Sequence, residues 1–218
     1  MDIDLILASQ SPRRRQLLGL LGYEYRAIAA DADETAVSDP NPAIDAWKTA
    51  RLKTAVIAPQ FPTSLIIGAD TNVALDGELL GKPINAADAR RMLRALRGRT
   101  HHVNSGVCIL DARTGREIVD THTAIVTMRD YSDAEIDAYI ETGDPMDKAG
   151  AYAIQHPIFR PVAVMDGCFT GVMGLSVCRL IQLLADFGLP VLAEKTAVSH
   201  SHDGYFCPVF ENMREIWT

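Results

Sequence analysis

The apolar positions along this chain alternate between short continuous runs and longer stretches that repeat every three or four residues. Short apolar runs bounded by turn residues predict buried strands. Such runs occupy Ile3–Ala8, Tyr23–Ala29, Leu65–Ala69, Val103–Leu110, Ile118–Met128 and Val162–Met165. Asp76-Gly77 is typical of a tight hairpin turn and Gly115 marks a second turn, so the sheet is expected to contain antiparallel pairs.

Helical stretches alternate with these runs and carry recognisable ends. The predicted helices begin at Ser11-Pro12, Asn41-Pro42, Asn85, Ser132 and Val177, and they end near Gly22, Ala58, Gly98, Gly143 and Gly188. Ser or Asn at the start of a helix, and Gly at its end, are typical caps. Intermixed strands, helices and hairpins predict an α/β fold with a mixed sheet flanked by helices. We divide the chain into a domain at 1–188 and a C-terminal extension of unknown role at 189–218.

The charge balance narrows the class of partner. The chain has 28 acidic and 21 basic residues, a formal net charge of −7, which disfavours a broad nucleic-acid-binding surface. A small anionic ligand needs only a local cluster of cations. The first apolar run is too short for a signal peptide, and no run reaches the roughly 18 apolar residues of a membrane span. We therefore expect a cytoplasmic protein without a membrane partner.

Cysteine and histidine positions give little indication of a metal site. The four cysteines are far apart in the sequence and form no C-x-x-C pair: Cys108, Cys168, Cys178 and Cys207. We interpret them as buried or inert thiols in a reducing cytoplasm. His101 and His102 would point to opposite faces of a strand, so they cannot share one metal. The segment from His200 to Asp203 could ligate a metal, but no matching cluster has a recognised spacing, which disfavours that reading.

Three arginines in the first turn of a helix, Arg13, Arg14 and Arg15, break a local rule. A helix N-terminus carries partial positive charge and favours anions, so three cations there are unfavourable unless something negative binds. With the hydroxyls of Ser9 and Ser11 they form a candidate phosphate site. A solvated basic turn is the alternative.

Lys53 and Asp70 interrupt apolar patterns. Lys53 shares one face of its helix with Ala50 and Ile57, so its ammonium needs a partner or a ligand, unless it extends along its stem to solvent. Asp70 follows the third apolar run and is predicted to end that strand, where α/β sheets usually place ligands. It could bind a metal, act as a base or simply occupy a turn.

Two loops add further candidates. Gly81-Lys82-Pro83 offers a cation in a rigid loop, and the segment 143–155 combines glycines with Asp147 and Lys148. A small, glycine-containing segment of this kind suits a backbone that approaches a ligand closely. The amide of Gln155 has one donor and one acceptor edge, which could pair with a nucleobase. A solvated turn and an ordinary connection are the alternatives.

Five segments, in order, resemble the Maf family of nucleoside triphosphate pyrophosphatases. They are Leu7-Ala8-Ser9-Gln10-Ser11-Pro12-Arg13-Arg14, Asp33-Glu34-Thr35, Gly68-Ala69-Asp70-Thr71, Gly81-Lys82-Pro83 and Asp147-Lys148-Ala149-Gly150-Ala151-Tyr152 with Ile154-Gln155. Each string is weak by itself, whereas the ordered set is specific and spans roughly Ile3 to Phe187. The resemblance implies an elongated mixed sheet with two lobes around a cleft, a Maf/ITPase-like fold.

The resemblance also implies an activity: hydrolysis of a nucleoside triphosphate to the monophosphate and pyrophosphate, with Mg²⁺ or Mn²⁺. It implies a role in removing modified or unwanted nucleotides, with an older association with septum formation, and it leaves a homodimer open. Asp70 would accept the proton of the attacking water, and Glu34 with Asp70 would hold the metal. Substrate choice would depend on Arg13, Thr71 and Gln155, whose identities match the dTTP/UTP branch rather than the 7-methyl-GTP branch. The other substrate-binding residues would be Ser9, Arg14, Lys53, Lys82, Asp147 and Lys148.

The chain departs from the family pattern at several positions. The family more often has Tyr near Phe169, Val at Met173, Pro at Ser176 and glycine where this chain has His156. A divergent branch that prefers another, modified nucleotide is therefore one alternative. A non-catalytic nucleotide-binding regulator of cell division is a second one. The intact set of cations around Asp70 argues against it, since a pure binder needs no base beside a metal site.

Overall fold

The computed structural model describes residues 3–217, apart from the side chain of Arg214, and contains a seven-stranded mixed sheet with helices on both faces. The strands are β1 (Leu5–Leu7), β2 (Arg26–Ala27), β3 (Leu65–Leu75), β4 (Glu78–Leu80), β5 (Thr100–Asp111), β6 (Glu117–Met128) and β7 (Val162–Asp166). The helices are α1 (Pro12–Gly19), α2 (Pro42–Ile57), α3 (Ala86–Leu96), α4 (Asp133–Glu141), α5 (Phe169–Met173), α6 (Val177–Asp186), α7 (Lys195–His200) and α8 (Pro208–Glu211). Short 3₁₀ turns occur at Glu34–Ala36, Ala58–Gln60, Asp144–Asp147, Ala149–Ala151 and Arg214–Trp217.

The strand order is β2-β1-β3-β5-β6-β7, with β4 paired to the far end of β3. β1 runs parallel to β2 and β3, and all other pairs are antiparallel. The β3–β4 hairpin turns at Asp76 and Gly77, both with positive φ, as expected of a tight two-residue turn. The prediction of an α/β fold with a mixed sheet is confirmed.

The prediction that Asp70 ends its strand is wrong, because β3 continues to Leu75. β1 pairs with β3 as far as Leu7 and Ile67, and β4 pairs with it from Val73 onward. Within residues 3–217, the stretch 68–72 therefore has a strand neighbour on the β5 side alone. Asp70 lies just beyond the carboxyl end of the neighbouring strand β1. Because β1 ends there, this edge of β3 has no strand partner beside Asp70.

Element ends differ from the sequence pattern mainly where elements are short. α1 ends at Gly19 instead of Gly22, and the second strand shrinks to two residues at the sheet edge. α5, α7 and α8 were not predicted, because helices of four to six residues do not complete an apolar stripe. The predicted N-caps Ser11, Asn41, Asn85 and Ser132 are confirmed, each side chain accepting a backbone N–H of the first turn.

Two glycines allow α2 to pack directly on the sheet. A Cβ atom added to Gly68 would lie 2.2 Å from the carbonyl oxygen of Ala50, and one added to Gly106 would lie 2.3 Å from the backbone of Ala46. Both distances are far below any van der Waals contact, so only glycine fits. This contact fixes the position of α2, and with it the position of Lys53 one turn beyond Ala50.

The opposite face of the sheet carries two hydrophobic clusters. In β3, Ile67 and Ala69 belong to the first cluster, and Val73 and Leu75 belong to the second. Alternate residues of a strand point to the same side, so Thr71 lies between the two clusters on their shared face. α1 and α6 complete the first cluster, whereas α3 and α4 complete the second. The two clusters form two lobes with a cleft between them, as expected.

The segment after α6 packs against the first cluster. Ala193, Val198 and Met213 are buried in it, and the indole N–H of Trp217 donates to the carbonyl of Ala193 at 2.9 Å. The division of the chain near residue 188 stays a prediction. The described part of the extension, however, contributes to the same hydrophobic core as the sheet.

This segment also brings together side chains that the sequence spacing separates. Cys168, Cys178 and Cys207 lie with His202 in a group whose ligand atoms are all within 4.8 Å of one another. The four cysteines are buried free thiols, as predicted. The expectation that no cysteine cluster matches the histidine segment is wrong, because three of them surround His202. Cys108 lies elsewhere, beside the hydroxyl of Thr54 at 3.3 Å.

Candidate active site

A cleft of about 790 Å³ opens between the two lobes, above the unpaired edge of β3. It is lined by every residue that the sequence predicts for substrate, metal and catalysis: Ser9, Arg13, Arg14, Glu34, Lys53, Asp70, Thr71, Lys82, Asp147, Lys148 and Gln155. Five of these side chains are cationic and three are carboxylates, in a chain whose net charge is −7. The cleft is therefore locally positive, as a site for a polyanion must be. The individual roles of these residues stay predictions.

A buried lysine holds two carboxylates at the bottom of the cleft. Lys53 Nζ lies 2.7 Å from Oδ1 of Asp70 and 3.0 Å from Oε1 of Glu34. The Lys53 side chain is 9% exposed and that of Asp70 is 17% exposed, whereas Glu34 is half exposed. Lys53 therefore satisfies its charge inside the protein instead of extending to solvent. Two carboxylates thus share one buried ammonium at this point of the cleft.

Arg14 approaches the same carboxylate. Its Nε donates to the carbonyl of Gly174 at 3.0 Å, its Nη1 to Ser9 Oγ at 3.5 Å, and its Nη2 lies 3.9 Å from Asp70 Oδ1. Burial lowers the pKa of Arg14 from its ordinary value, although the charge of Asp70 acts in the opposite direction. Arg15 points to solvent. The arginine run thus divides into two cleft residues, Arg13 and Arg14, and one solvent residue.

A second ionic network forms the opposite wall. Lys148, 8% exposed, donates to Asp147 Oδ1 at 2.7 Å and to Asp144 Oδ1 at 2.9 Å. Arg13 Nη1 lies 3.7 Å from Asp147 Oδ2 and so joins the two walls across the cleft. Burial acts to raise the pKa of Asp147, but the hydrogen bond from Lys148 and nearby cations outweigh it and leave that pKa lowered.

The loop that carries Lys148 also positions Lys82. The N–H of Gly150 donates to the carbonyl of Gly81 at 3.0 Å, and Gly150 has a φ of +68°, which favours glycine. Within residues 3–217, Lys82 has no carboxylate partner and the amide of Gln155 has no hydrogen-bond partner. Both groups face the cleft and are available to a ligand.

Some cleft residues were missed by the sequence patterns. The carbonyl of Gly174 accepts from both Arg14 and the hydroxyl of Thr71, at 3.0 and 3.1 Å. Tyr152 lines the cleft, and its hydroxyl lies 2.8 Å from Nε2 of buried His101. His102 points to the other face, as predicted. The sequence contains no signal that the backbone carbonyl of Gly174 belongs to the site. Tyr152, in contrast, stands in a segment of small residues and could have been singled out.

The departures from the family pattern lie mostly outside the cleft. His156 accepts a hydrogen bond from the backbone N–H of Phe159 at 2.9 Å and packs edge-on against Tyr139. Phe169 stacks on Tyr205 of the C-terminal segment, with ring centroids 5.2 Å apart. Met173 alone of these positions lines the cleft. The unusual residues therefore serve packing more than ligand contact.

Comparisons with known proteins agree on one family. The Maf-like protein family matches residues 4–187. The dTTP/UTP pyrophosphatase of Dictyoglomus thermophilum is 41% identical over 193 residues, 88% of this chain and 100% of its own. The dTTP/UTP pyrophosphatase of Thermomicrobium roseum is 46% identical over 188 residues, 86% of this chain and 85% of its own.

Similarity to solved structures is weaker. The Staphylococcus aureus Ham1 protein superposes with a TM-score of 0.44 at 17% identity, over 58% of this chain and 72% of its own, too weak a likeness to carry a conclusion. In the described part of the chain, no helix is both long and apolar enough to cross a membrane. The matched residues 4–187 contain the whole cleft. Because the family model covers most of the chain and the two relatives are 41% and 46% identical to it, the chain belongs to the Maf-like protein family.

Proposed function

We propose that this protein hydrolyses pyrimidine nucleoside triphosphates, dTTP and UTP or their modified forms, to the monophosphate and pyrophosphate. The observation that carries the proposal is the acid pair Glu34 and Asp70 on one buried lysine, inside a cleft whose other charges are mainly cationic. The relatives named dTTP/UTP pyrophosphatase support the substrate class. We propose a cytoplasmic location on the same ground, because that is where the nucleotide pool is.

The triphosphate binds between the two ionic walls. Lys82, which has no partner in the described chain, and the Arg13 and Arg14 side chains offer charge-assisted hydrogen bonds to phosphate oxygens. The N-terminus of α1 lies at the same point and adds its partial positive charge. Lys148 is held by two aspartates, so a phosphate that reaches it competes with Asp147, the more exposed of the two. Binding thus exchanges internal ion pairs for ion pairs with the ligand.

Asp70 is the proposed general base. A water molecule beside its carboxylate gives up a proton to Asp70 as its oxygen attacks the α-phosphorus. The bond between the α-phosphorus and the bridging oxygen breaks, and pyrophosphate leaves with the electron pair. Lys53 keeps the Asp70 carboxylate oriented through the 2.7 Å contact. Fixed cations that already surround the site need no reorganisation as charge develops on the phosphoryl oxygens.

The oxygen donors of the cleft fit a divalent cation. Glu34 and Asp70 converge on one point, since both lie within 3.0 Å of Lys53 Nζ, and carboxylate oxygens are the ligands that Mg²⁺ and Mn²⁺ prefer. We propose that these two residues hold Mg²⁺ or Mn²⁺. When bound, the ion would neutralise charge on the phosphates and so complement the lysines and arginines of the cleft.

Gln155 is the residue that we propose recognises the nucleobase. Its amide has no partner among residues 3–217, faces the cleft and can both donate to and accept from the edge of uracil or thymine. Thr71 and Arg13 flank the same space, and Thr71 is held by the carbonyl of Gly174. A base with a mismatched edge leaves these half-buried polar groups unpaired and is rejected.

The test is a panel of natural and modified nucleoside triphosphates assayed with Mg²⁺ or Mn²⁺, with products separated by chromatography. We expect UTP and dTTP to be turned over fastest and to yield only the monophosphate and pyrophosphate. Release of orthophosphate and a nucleoside diphosphate would overturn the proposed attack at the α-phosphorus, since water would then attack the γ-phosphorus. Preference for a purine triphosphate would overturn the role of Gln155 and leave the hydrolase proposal standing.

A further inference from the structure

A second group of chemically reactive side chains lies outside the cleft, beneath α5 and α6. It consists of Cys168 before α5, Cys178 in α6, His202 after α7 and Cys207 before α8. Their ligand atoms all lie within 4.8 Å of one another, and each residue is at most 3% exposed. The three thiols are free. These three thiols and one imidazole take no part in the proposed hydrolysis, because none of them lines the cleft.

The distances are close to those of a tetrahedral metal site. His202 Nε2 lies 3.4 Å from Sγ of Cys178 and 3.7 Å from Sγ of Cys168. Bonds of about 2.3 Å to sulfur and about 2.0 Å to nitrogen, at tetrahedral angles, separate sulfur from nitrogen by about 3.5 Å. The same geometry separates two sulfurs by about 3.8 Å, so closure of the group around an ion requires movements of about 1 Å at most.

Hydrogen bonds around the group orient its ligand atoms. His202 Nδ1 lies 2.8 Å from the carbonyl of Val198, which accepts only from an N–H, so Nδ1 carries a proton and Nε2 is the ring nitrogen that faces the cysteines. The backbone N–H of Phe210 donates to Sγ of Cys207 at 3.4 Å. Hydrogen bonds of this kind orient metal ligands and stabilise thiolates.

Thr170 makes a similar contact with Cys168. Its Oγ1 accepts a hydrogen bond from the N–H of Val177 at 3.0 Å, and the same oxygen lies 3.0 Å from Sγ of Cys168. Because the backbone N–H occupies an acceptor position, the hydroxyl proton is free to point at the sulfur. Cys168, Thr170 and Val177 are all buried.

We infer that Cys168, Cys178, His202 and Cys207 form a structural zinc site. Three thiolates and one imidazole in tetrahedral arrangement are a donor set typical of Zn²⁺. All four positions are filled by the protein, which leaves no open position for a substrate or water, so the site is structural.

The site links two parts of the chain. Cys168 and Cys178 lie inside the family-matched residues 4–187, and His202 and Cys207 lie beyond them. Zinc would therefore fasten the C-terminal segment to α5, whose last turn leads to the Gly174 carbonyl that holds Arg14 and Thr71. The inference does not depend on the proposed function, because the cleft and the cysteine group share no residue.

The experiment is elemental analysis of the full chain purified with reductant and supplied with Zn²⁺. We expect about one zinc ion per chain, lost in Cys178→Ser and in Cys207→Ser. Cys108→Ser is the matched control, because Cys108 is an equally buried free thiol outside the group, and it should keep its zinc. A strong chelator should lower the melting temperature of the wild type by at least about 5 °C, and added zinc should restore it.

Wild-type protein that binds no zinc under these conditions, or zinc retained at the wild-type level in Cys178→Ser, would overturn the inference. So would a disulfide among these cysteines in the reduced preparation, detected by mass spectrometry. If the serine variants do not fold, cobalt substitution of the wild type decides the question. Intense visible bands with thiolate charge transfer support the site, whereas the weak bands of octahedral cobalt refute it.

Discussion

Lys53 Nζ lies 2.7 Å from Asp70 Oδ1 because α2 is pressed against the sheet at Gly68, two residues before Asp70. The helix supplies the ammonium and the strand supplies the carboxylate, and a side chain at Gly68 would force them apart. The ionic centre of the cleft therefore depends on a backbone contact that carries no charge. Three of the five predictions below concern this relationship.

Gly68→Ala should displace α2 and reduce both stability and activity. The new Cβ would lie 2.2 Å from the carbonyl oxygen of Ala50, and overpacking of this kind costs about 1–3 kcal/mol. Gly19→Ala is the control, because nothing lies within 4 Å of that position at the end of α1. Urea denaturation and pyrophosphate release should both change in the first variant only; a fully active Gly68→Ala would contradict the dependence of the site on this contact.

Asp70→Asn should abolish hydrolysis and leave the fold intact. Removal of the proposed base and metal ligand should cost at least about 100-fold in turnover, while the isosteric amide still fills the space beside Lys53. Asp120→Asn is a matched control, since Asp120 also pairs with an arginine, Arg179, but lies outside the cleft. Steady-state rates, with circular dichroism as a check on folding, measure the effect. Near-normal turnover by Asp70→Asn would remove Asp70 from the mechanism.

Lys53→Met should lower activity and also reduce stability, by about 2 kcal/mol, because Asp70 then loses its closest hydrogen-bonded cation. The double variant Lys53→Met with Asp70→Asn should recover part of that stability, since the one carboxylate that then lacks Lys53 is the half-exposed Glu34. Lys48→Met, on the same helix and paired with Asp39 at 2.7 Å, should keep full activity. A double-mutant cycle in urea measures the coupling, and strict additivity of the two changes would refute it.

Gln155→Ala should narrow the preference for UTP over ATP by about tenfold, mainly through slower turnover of UTP. The reason is the loss of an amide that faces the cleft and has no partner in residues 3–217. Competition between equal concentrations of the two nucleotides measures the ratio directly. Gln16→Ala, an exposed position on α1, serves as the control. An equal loss for both nucleotides would show that Gln155 binds some feature common to them.

Acidification should destabilise the protein through His101. Burial lowers the pKa of His101 from 6.5 to about 4, with a smaller contribution from the charge of His102. Between these values the unfolded chain takes up a proton that the folded chain does not, so stability is lost as pH falls from about 6.5 to about 4. The loss from this group amounts to about 3 kcal/mol at most.

The measurement compares wild type and His101→Gln by urea denaturation at pH 7 and pH 4.5. Glutamine can keep a hydrogen bond to the hydroxyl of Tyr152, which lies 2.8 Å from the histidine ring. Other groups titrate alike in both proteins, so the difference between the two isolates His101. The variant should lose less stability than the wild type on acidification, and an identical loss in both would contradict the prediction.

The sequence by itself determined the features that depend on neighbours along the chain. The caps at Ser11, Asn41 and Ser132 are local hydrogen bonds within three residues, and the hairpin at Asp76-Gly77 needs only two residues with positive φ. The ordered motifs contain every predicted site residue except Lys53, which the apolar pattern of its helix indicated instead.

The tertiary structure decided which of these residues meet, because contacts between distant segments leave no periodic signal. Asp70 looked like the end of a strand because the apolar run stops there, yet β3 continues and the open edge arises where β1 ends. The sequence left open whether Lys53 pairs with a carboxylate, binds a ligand or extends to solvent. The close packing of α2 against Gly68 brings its ammonium to Asp70. Cys168 and His202, 34 residues apart, converge only because the C-terminal segment packs back on α6, where the burial of apolar side chains fixes its path.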